Sequence, residues 1–255
     1  AVIEQLLRLG VGIISIFDGE AFDKTNVNRV YGSAVQDHGT EKVLIQQGHA
    51  QRIGLGTIVH VYPEAISDRH TAERLRECDL VFGCTDLQAP RGILVQLSLR
   101  YLIPCFDMGV KIDSPDGWIR GIEGRVTTLM PGEACLFCRR RISARTIMSE
   151  GLPPERREAL ARDGYADNVG TAEPAVIMFT TAVASQAVAE LLHRLTGFMG
   201  RERVSTEVLL FLHETRMRTN RVKPADDCVC NQRDIWARGD SRDFLELTWP
   251  GKPES

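Results

Sequence analysis

Short apolar segments alternate with helical segments from Ala1 to Met108, and this alternation restricts the possible folds more than any other feature of the sequence. The apolar segments have the length of buried strands: Val11–Phe17 and Thr57–Tyr62, which are rich in β-branched residues, and Asp79–Phe82 and Pro104–Met108. Helices are predicted before and between them, over residues 1–10, 40–52, 68–76 and 93–99. Such alternation indicates βαβ units, so we predict an α/β fold with a mostly parallel sheet and helices on both faces.

The pattern changes in the second half of the chain. Residues 118–130 and 204–222 are predicted to form antiparallel hairpins, and Glu207–His213 show the alternation of such strands. The apolar stretch Ala172–Gly197 includes Thr, Ser, Gln, Glu and His, so we interpret it as a buried helix and not as a membrane span. Residues 139–170 are charged and contain two consecutive prolines, which predicts a mobile crossover loop with a short helix at Glu155–Arg162.

Charged and amide side chains follow the first predicted strand. Asp18 stands at the C-terminal end of Val11–Phe17, and ligands of open α/β sheets bind at that edge. An acid there can accept hydrogen bonds from both ribose hydroxyls, while Asn26, Arg29 and Lys42 can donate to phosphates. Taken singly, Asp18 is typical of a turn, and Arg29 and Lys42 are typical of a solvated surface. Together they favour a nucleoside triphosphate site.

A second acid is predicted at the same edge. Asp86 follows the apolar run Asp79–Cys84 and would therefore also lie at the carboxyl end of a strand. Next to a triphosphate, this carboxylate could bind magnesium, which prefers oxygen ligands. An Asp at this place could equally cap the helix that begins near Ala89.

The seven cysteines form two groups. Cys135, Cys138, Cys228 and Cys230 come as two close pairs about ninety residues apart, and two such pairs of thiolates are what tetrahedral zinc requires. The Cys-x-Cys spacing of the second pair is one residue tighter than usual, and a disulfide framework fits poorly without a secretory signal. The remaining three lie on or beside apolar strands and are predicted to be core residues: Cys78, Cys84 and Cys105.

Composition argues against several classes of function. The 255 residues are 43% hydrophobic and 25% charged, which is enough to bury a sizeable core in one α/β domain. The formal net charge of -3 argues against nucleic-acid partners, because phosphate binding usually requires a basic surface. The sequence shows no signal peptide, lipidation motif or membrane span, so no membrane partner is predicted and a cytoplasmic protein is expected.

The segment Asp18–Lys42 resembles a known family, the ThiF/MoeB/HesA-type adenylyltransferases of the ubiquitin-activating-enzyme-like superfamily. Their signature is Asp-x-Asp-x-Val-x-x-Ser-Asn-Leu-x-Arg-Gln, and it stands here as Asp18-Gly-Glu20-Ala-Phe22-Asp-Lys-Thr25-Asn26-Val27-Asn-Arg29-Val30. Glu20 replaces the second acid and Val30 replaces the Gln. The family's Gly-x-x-Lys follows as Gly39-Thr-Glu-Lys42.

Later elements extend the resemblance. The family's Asp-x-x-Asp-Asn-x-x-x-Arg appears as Gly83-Cys-Thr-Asp86-Leu87-Gln-Ala-Pro-Arg91. This keeps the second acid and the Arg but not the first Asp or the Asn. The two cysteine pairs stand where the family carries a zinc site. Five elements in one order over nearly the whole chain make the resemblance specific.

The resemblance implies a Rossmann-like homodimer that uses ATP, magnesium and zinc. Its activity would be adenylation of the C-terminal carboxylate of a ubiquitin-like or sulfur-carrier protein. Asp18, Glu20 and Asn26 are expected to bind the nucleotide. Arg29, Lys42 and Asp86 are expected to bind it and also to act in catalysis, with the acid holding the magnesium. The four paired cysteines would hold the zinc.

The resemblance also divides the chain into segments. Residues 1–138 would form the nucleotide-binding adenylation core, 139–171 the crossover loop, 172–231 the rest of the same domain with the second cysteine pair, and 232–255 a C-terminal tail. The family's glycine-rich phosphate loop should precede the first helix. Residues 1–10 already resemble the back half of that helix, so the first strand and this loop are expected to be missing from the sequence. No cysteine occurs between Arg139 and Asp227, which departs from relatives that form a thioester.

Two alternatives stay open. The absent loop cysteine favours adenylation of a small molecule, a peptide or a modified tRNA base, although the net charge argues against the tRNA version. A missing glycine loop favours a non-catalytic scaffold subunit of an activating-enzyme dimer. A nicotinamide dehydrogenase is a weaker competitor, because Asn26, Arg29 and Lys42 would have no role there.

Overall fold

The computed structural model describes residues 1–114, 117–162 and 176–249. Within these residues the strands are β1 (Ile13–Phe17), β2 (Ile58–Tyr62), β3 (Val81–Gly83), β4 (Cys105–Asp113), β5 (Gly121–Leu129), β6 (Glu207–Phe211) and β7 (Arg216–Asn220). The helices are α1 (Val2–Arg8), α2 (Lys42–Ile53), α3 (Arg69–Glu73), α4 (Gln88–Arg100), α5 (Ala144–Glu150), α6 (Pro154–Arg162) and α7 (Ile177–Thr196). The predicted alternation of strand and helix up to β4 is confirmed.

The strands form two sheets. β1 and β2 pair in parallel as one sheet, and the second sheet has the order β3-β4-β5-β6-β7. In that larger sheet β3 and β4 are parallel, whereas the other three pairs are antiparallel. The parallel pairs belong to the predicted βαβ part and the antiparallel pairs to the later strands. The α/β class with antiparallel C-terminal strands is confirmed.

Helix α7 fills one face of the larger sheet. Val183 of α7 is buried in a core that also contains Phe106 of β4. Gly124 of β5 lies so close to the helix that a Cβ atom there would stand 2.4 Å from the Val183 side chain. The apolar run predicted as a buried helix is therefore confirmed over Ile177–Thr196. The same prediction for residues 172–175 falls outside the described residues.

The opposite face of the larger sheet is mostly polar. Helix α4 covers its beginning, where Leu97 and Cys105 are buried together. Beyond that point the strand register places three cross-strand rows of side chains on this face: Asp107-Thr127-Glu207-Asn220, Gly109-Arg125-Leu209-Arg218 and Lys111-Glu123-Phe211-Arg216. We call this surface the polar face. Alternation along each strand explains it, because neighbouring residues point to opposite sides of a sheet.

The region predicted as a crossover loop contains more helix than expected. The short helix at α6 is confirmed, but the expectation of loop structure was wrong for Ala144–Glu150, which form α5. Ser143 starts this helix by accepting a hydrogen bond from the Thr146 amide (3.1 Å). The loop prediction for residues 163–170 lies outside the described residues.

Of the three cysteines predicted for the core, Cys105 alone is buried. Cys105 is buried and Cys78 is half-buried, but Cys84 is exposed. The reason is that β3 ends at Gly83, so Cys84 already belongs to the turn that leads towards α4.

Candidate functional site

Asp18 lies at the C-terminal end of β1, as predicted. Its amide donates to the Tyr62 carbonyl oxygen (3.2 Å), which continues the pairing of β1 with β2. The rings of Phe17 and Tyr62 stack with centroids 4.6 Å apart. The Asp18 carboxylate accepts a hydrogen bond from the Glu20 amide (2.9 Å). This hydrogen bond between the Asp18 side chain and the backbone two residues later closes a turn. The turn holds the acid at the edge of the sheet.

The loop after β1 is closed onto the start of α2. Phe22 is 1% exposed, its amide donates to the Thr40 carbonyl (2.7 Å), and its carbonyl accepts from the Gly39 amide (2.9 Å). Gly39 has a φ of 84°, a conformation that glycine adopts without steric cost. Lys42 therefore returns beside Glu20, whose carbonyl accepts from the Lys42 amide (3.1 Å).

Four charged side chains share this edge: Asp18, Glu20, Lys42 and Asp86. Lys42 Nζ donates to the Glu20 carboxylate. Burial raises the pKa of Asp18 above its ordinary value, and the negative charges of Glu20 and Asp86 act in the same direction, against the Glu20 amide and Lys42. The acids therefore belong to one electrostatic neighbourhood. Three carboxylates around one lysine leave excess negative charge, which a divalent cation would neutralise.

Asn26 and Arg29 are engaged within the loop itself. Asn26 accepts a hydrogen bond from the Asp23 amide (3.2 Å), and the Asp23 carboxylate accepts one from the Thr25 amide (2.8 Å). Arg29 Nη1 donates to the Thr25 carbonyl (2.9 Å). Within the described part of the chain, Arg29 forms no ion pair, and none of its hydrogen bonds is to the four charged side chains at the edge.

Asp86 does not cap α4. The capping position is Leu87, which makes no side-chain bond to the helix. Instead Glu150 of α5 accepts from the Gln88 amide (2.9 Å) and from the Ala89 amide (2.7 Å). Asp86 is exposed and stays available for a ligand. No local sequence pattern indicated Glu150, because it lies 62 residues after Gln88 and inside the segment predicted as a loop.

A second charged cluster lies on the polar face beside β3. Arg125 Nη1 donates to Asp107 Oδ2 (2.5 Å) and to Thr127 Oγ1 (2.9 Å). Arg91 Nη2 donates to the Thr85 carbonyl (2.7 Å), and its Nε stands 3.6 Å from Asp107 Oδ1. Asp107 is fully buried, and this Oδ1 has no hydrogen-bond partner within the described residues. Burial lowers the pKa of Arg125 below its ordinary value, against the attraction of Asp107.

A third group on the same face is fully satisfied. Glu207 accepts from Asn220 Nδ2 (2.6 Å), Thr127 Oγ1 (3.1 Å), Arg139 Nη1 (3.2 Å) and Arg141 Nε (3.4 Å). Burial alone would raise the pKa of Glu207. The hydrogen bond from Asn220 and the charges of Arg139 and Arg141 outweigh burial and hold this pKa below its ordinary value.

The two cysteine pairs converge, as predicted. The Sγ atoms of all four residues lie within 4.8 Å of one another: Cys135, Cys138, Cys228 and Cys230. Two of the separations, Cys135–Cys228 and Cys138–Cys230, are 3.5 Å. Zinc with four bonds of about 2.3 Å places tetrahedral sulfurs about 3.8 Å apart, so the four thiols fit this ion. The Ala225 amide also donates to Cys138 Sγ (3.3 Å), a contact that would support a thiolate.

A cavity of about 360 Å³ lies elsewhere, on the α7 side of the larger sheet. Leu210, Met217 and Ala182 are among its lining residues, and none of the predicted site residues lines it. We assign the candidate site to the charged edge instead, because a largely apolar cavity cannot neutralise a triphosphate.

Comparison with protein families gives one clear match. The model of the ThiF family matches residues 1–232 of this chain. An adenylyltransferase and sulfurtransferase UBA4 from Meyerozyma guilliermondii is 28% identical over 99 residues, which is 39% of this chain and 23% of that protein. The protein of the same name from Candida albicans is 29% identical over 126 residues, 49% of this chain and 26% of the relative. The matched region spans about a quarter of each curated relative.

Solved structures with the same fold include E. coli MccB with MccA-N7isoASN. It superposes with a TM-score of 0.69 at 13% identity, and the match covers 90% of this chain and 63% of MccB. PaaA superposes with a TM-score of 0.60 at 15% identity over 86% of this chain and 68% of PaaA. At these identities the likeness concerns the fold alone. Within the described residues, no helix combines the length and apolarity needed to span a bilayer.

Proposed function

Because the chain belongs to the ThiF family, we propose that it is an ATP-dependent adenylyltransferase that activates a carboxylate. The observation that carries the proposal is the convergence of Asp18, Lys42 and Asp86 at one strand edge. A ribose acceptor, a lysine ammonium group and an exposed acid are what a nucleoside triphosphate with its metal requires. The curated relatives carry the word adenylyltransferase in their names, which supports the same reading.

The proposed reaction is attack of a substrate carboxylate on the α-phosphorus of ATP, with loss of pyrophosphate. Asp18 accepts the ribose hydroxyls. Lys42 leaves Glu20 and donates to the phosphate oxygens, where negative charge builds up in the transition state. Water screens the pair of Lys42 with Glu20, whose carboxylate is 72% exposed, so a triphosphate can replace that carboxylate. Asn26 and Arg29 lie in the loop between Asp18 and Lys42 and provide further hydrogen-bond donors for the nucleotide.

Magnesium and zinc have separate places in this proposal. Asp86 would hold magnesium, because its exposed carboxylate offers the oxygen ligands that a hard cation prefers. Magnesium bound there would supply positive charge to the phosphates. The four cysteines would hold zinc in a structural role, because two of them, Cys135 and Cys230, are buried in the core that packs against α4.

For the substrate we propose the C-terminal carboxylate of a ubiquitin-like or sulfur-carrier protein. The names of the curated relatives combine adenylyl transfer with sulfur transfer, which favours this class. A peptide carboxylate is the second candidate, and the structures of MccB with MccA favour it. The third hypothesis is that the protein is a non-catalytic scaffold subunit.

The proposed division of the chain follows from these assignments. Residues 1–138 form the adenylation core, 139–171 the crossover segment, 172–231 the rest of the domain, and 232–255 a C-terminal tail. Asp18, Lys42 and Asp86 all lie in the first segment, which supports its assignment to nucleotide binding.

Exchange of labelled pyrophosphate into ATP tests the activity. We expect exchange with a carrier protein that ends in glycine, and the same assay with peptides and small acids ranks the substrate classes. Replacing Arg29, Lys42 or Asp86 by Ala should reduce exchange by about a hundredfold or more, the scale of losing one preorganised charge at the transition state. Lys24→Ala is the matched control, since this lysine lies in the same loop and is exposed.

The outcomes separate the candidate functions. Exchange that survives Lys42→Ala contradicts the site assignment. Binding of ATP without exchange for any acceptor favours the scaffold reading. Exchange only with peptides favours the second candidate substrate.

We also propose that the protein is a homodimer. Seven of the twenty residues of α7 are buried inside the chain, but Met178 and Leu195 of this helix are 64% and 73% exposed. Exposed apolar residues at both ends of one helix are consistent with a subunit interface. Light scattering at increasing concentration should report twice the chain mass, and a monomer at high concentration would contradict the proposal.

A further inference from the structure

Gly109 lies on the polar face next to the guanidinium groups of Arg91 and Arg125. It lies in β4 opposite Arg125 of β5. A Cβ atom added to Gly109 would stand 3.3 Å from Arg125 Nη2 and 3.6 Å from both terminal nitrogens of Arg91. Because glycine has no side chain, the space above its backbone is bordered by both guanidinium groups.

Each of these guanidinium groups has N–H groups that no acceptor within the described residues binds. Arg91 uses Nε and Nη2 for the Thr85 and Met108 carbonyls, and Arg125 uses Nη1 for Asp107 and Thr127. Within the described residues, no acceptor is hydrogen-bonded to Arg91 Nη1 or to Arg125 Nη2. The two side chains are only 12% and 10% exposed, so their positions are fixed by the surrounding protein.

The local charge is not balanced. Within the described parts of the chain, Asp107 is the one carboxylate paired with both guanidinium groups, so one positive charge stays unneutralised there. The next acid in the same row, Glu207, is already paired with Arg139 and Arg141. Two converging N–H donors with one residual positive charge are suited to a monoanion, and a guanidinium fork matches a carboxylate well.

The position of this pair connects it with the charged edge. Arg91 is hydrogen-bonded to the Thr85 carbonyl, and Asp86 is the next residue along the chain. Gly109 lies two residues beyond Asp107, which pairs with the last residue of β3, Gly83. The space above Gly109 therefore lies near the end of β3, which Asp86 follows by three residues.

We propose that Arg91 and Arg125 bind the reactive carboxylate of the acyl substrate in the space above Gly109, an inference that rests on the proposed adenylation. The two N–H groups hold one carboxylate oxygen, and the other oxygen attacks the α-phosphorus of ATP. The new bond joins this oxygen to phosphorus. The bond from the α-phosphorus to the bridging oxygen breaks, and pyrophosphate leaves with that electron pair. The acyl group then carries no charge, so the arginines release it as the adenylate forms.

Nuclear magnetic resonance of the arginine side chains tests this inference on the full chain. Acetate serves as the carboxylate probe and inorganic phosphate as the competing anion, each with a non-hydrolysable ATP analogue present. We expect saturable acetate shifts of the Nε–H resonances of Arg91 and Arg125. Gly109→Ala should weaken acetate binding by about tenfold or more, the scale of a hydrogen bond to a charged group, because its methyl group fills the space.

Gly121→Ala is the matched control. Gly121 lies on the same face in β5, and an added Cβ atom would make only an ordinary contact of 3.6 Å with His213. Neither glycine has a positive φ, so alanine is compatible with both backbones. Both variants should keep the melting temperature and the affinity for the ATP analogue.

Each outcome decides the inference. Shifts with phosphate or with the ATP analogue, and none with acetate, would assign the pair to the nucleotide and overturn it. No saturable shift with either anion would make the pair purely structural and overturn it as well. Saturable acetate binding in a protein that fails to bind the ATP analogue would support the carboxylate site and contradict the proposed adenylation.

Discussion

Two arginine–carboxylate groups lie side by side on the polar face, and they differ in how completely their hydrogen bonds are satisfied. Glu207 receives four donors, and its partner Arg139 has a side chain that is 1% exposed. Among the residues that the structure describes, Asp107 keeps one oxygen without a hydrogen bond, and Arg91 and Arg125 keep N–H groups that face the space above Gly109. The closed group holds strands together, whereas the open group is built to accept a further anion.

The same distinction separates the two sites that the sequence predicted. The four cysteines form a closed cluster in which every thiol lies within 4.8 Å of the others. At the charged edge, Glu20 is 72% exposed and Asp86 is exposed, and Asp18 carries a raised pKa. Buried charge is therefore not by itself a sign of a binding site in this protein. Charge that is held in place but left unsatisfied is the better sign.

Removing the carboxylate of the closed group should have the largest effect. Glu207→Ala leaves Arg139 buried without its partner, and losing one member of a buried pair costs about 3–5 kcal/mol of unfolding free energy. Urea unfolding measures this loss. Glu123→Ala, an exposed acid on the same face, should change the unfolding free energy by less than about 0.5 kcal/mol. Equal effects of the two substitutions would contradict the stabilising role of the closed group.

Metal removal should have the next largest effect. We expect about one zinc per chain, and a metal that binds only the folded state adds about 2.7 kcal/mol of stability at a hundredfold excess over its dissociation constant. Elemental analysis and thermal unfolding before and after chelation measure both quantities. Cys138→Ser should abolish zinc binding, whereas Cys78→Ser should retain it. A metal-free protein with unchanged stability would show that side-chain packing, and not zinc, holds the four cysteines together.

Asp18→Asn should have a smaller effect. It should lower the affinity for ATP but raise the stability of the folded protein at neutral pH. The amide is a weaker acceptor for ribose hydroxyls, so ATP affinity should fall by about tenfold. Because the pKa of Asp18 is raised in the folded protein, its ionised form lowers stability at neutral pH, and the variant should be slightly more stable there.

The pH dependence provides the check on this prediction. Above the folded-state pKa of Asp18, the ionised carboxylate lowers the free energy of unfolding. This loss of stability disappears as the pH falls through that pKa towards the pKa of the unfolded state. The stability difference between wild type and Asp18→Asn should therefore vanish at acid pH, when both are compared by urea unfolding. A variant that is less stable at neutral pH and keeps full ATP affinity would contradict the binding role of this acid.

The strand ends were predictable from sequence, but the partners across the sheet were not. Asp18 and Asp86 follow apolar runs, so their place at the carboxyl edge follows from local pattern alone. Arg125 lies within a strand whose role depends on its register with Gly109, and register is set by turns and by packing against α7. Glu150 became a cap only because α5 docks on α4, a contact between distant segments. Local patterns carry no information on such contacts.

Transfer of AMP from ATP labelled at the α-phosphate tests the central claim most directly, namely that the open charged edge performs adenylation. With a carboxylate acceptor that supports exchange, the label should appear in an acyl adenylate, and pyrophosphate should appear in equal amount. Both products should be lost in Lys42→Ala and retained in Lys24→Ala. Release of inorganic phosphate with the label left in ADP, or undiminished AMP transfer in Lys42→Ala, would contradict the account.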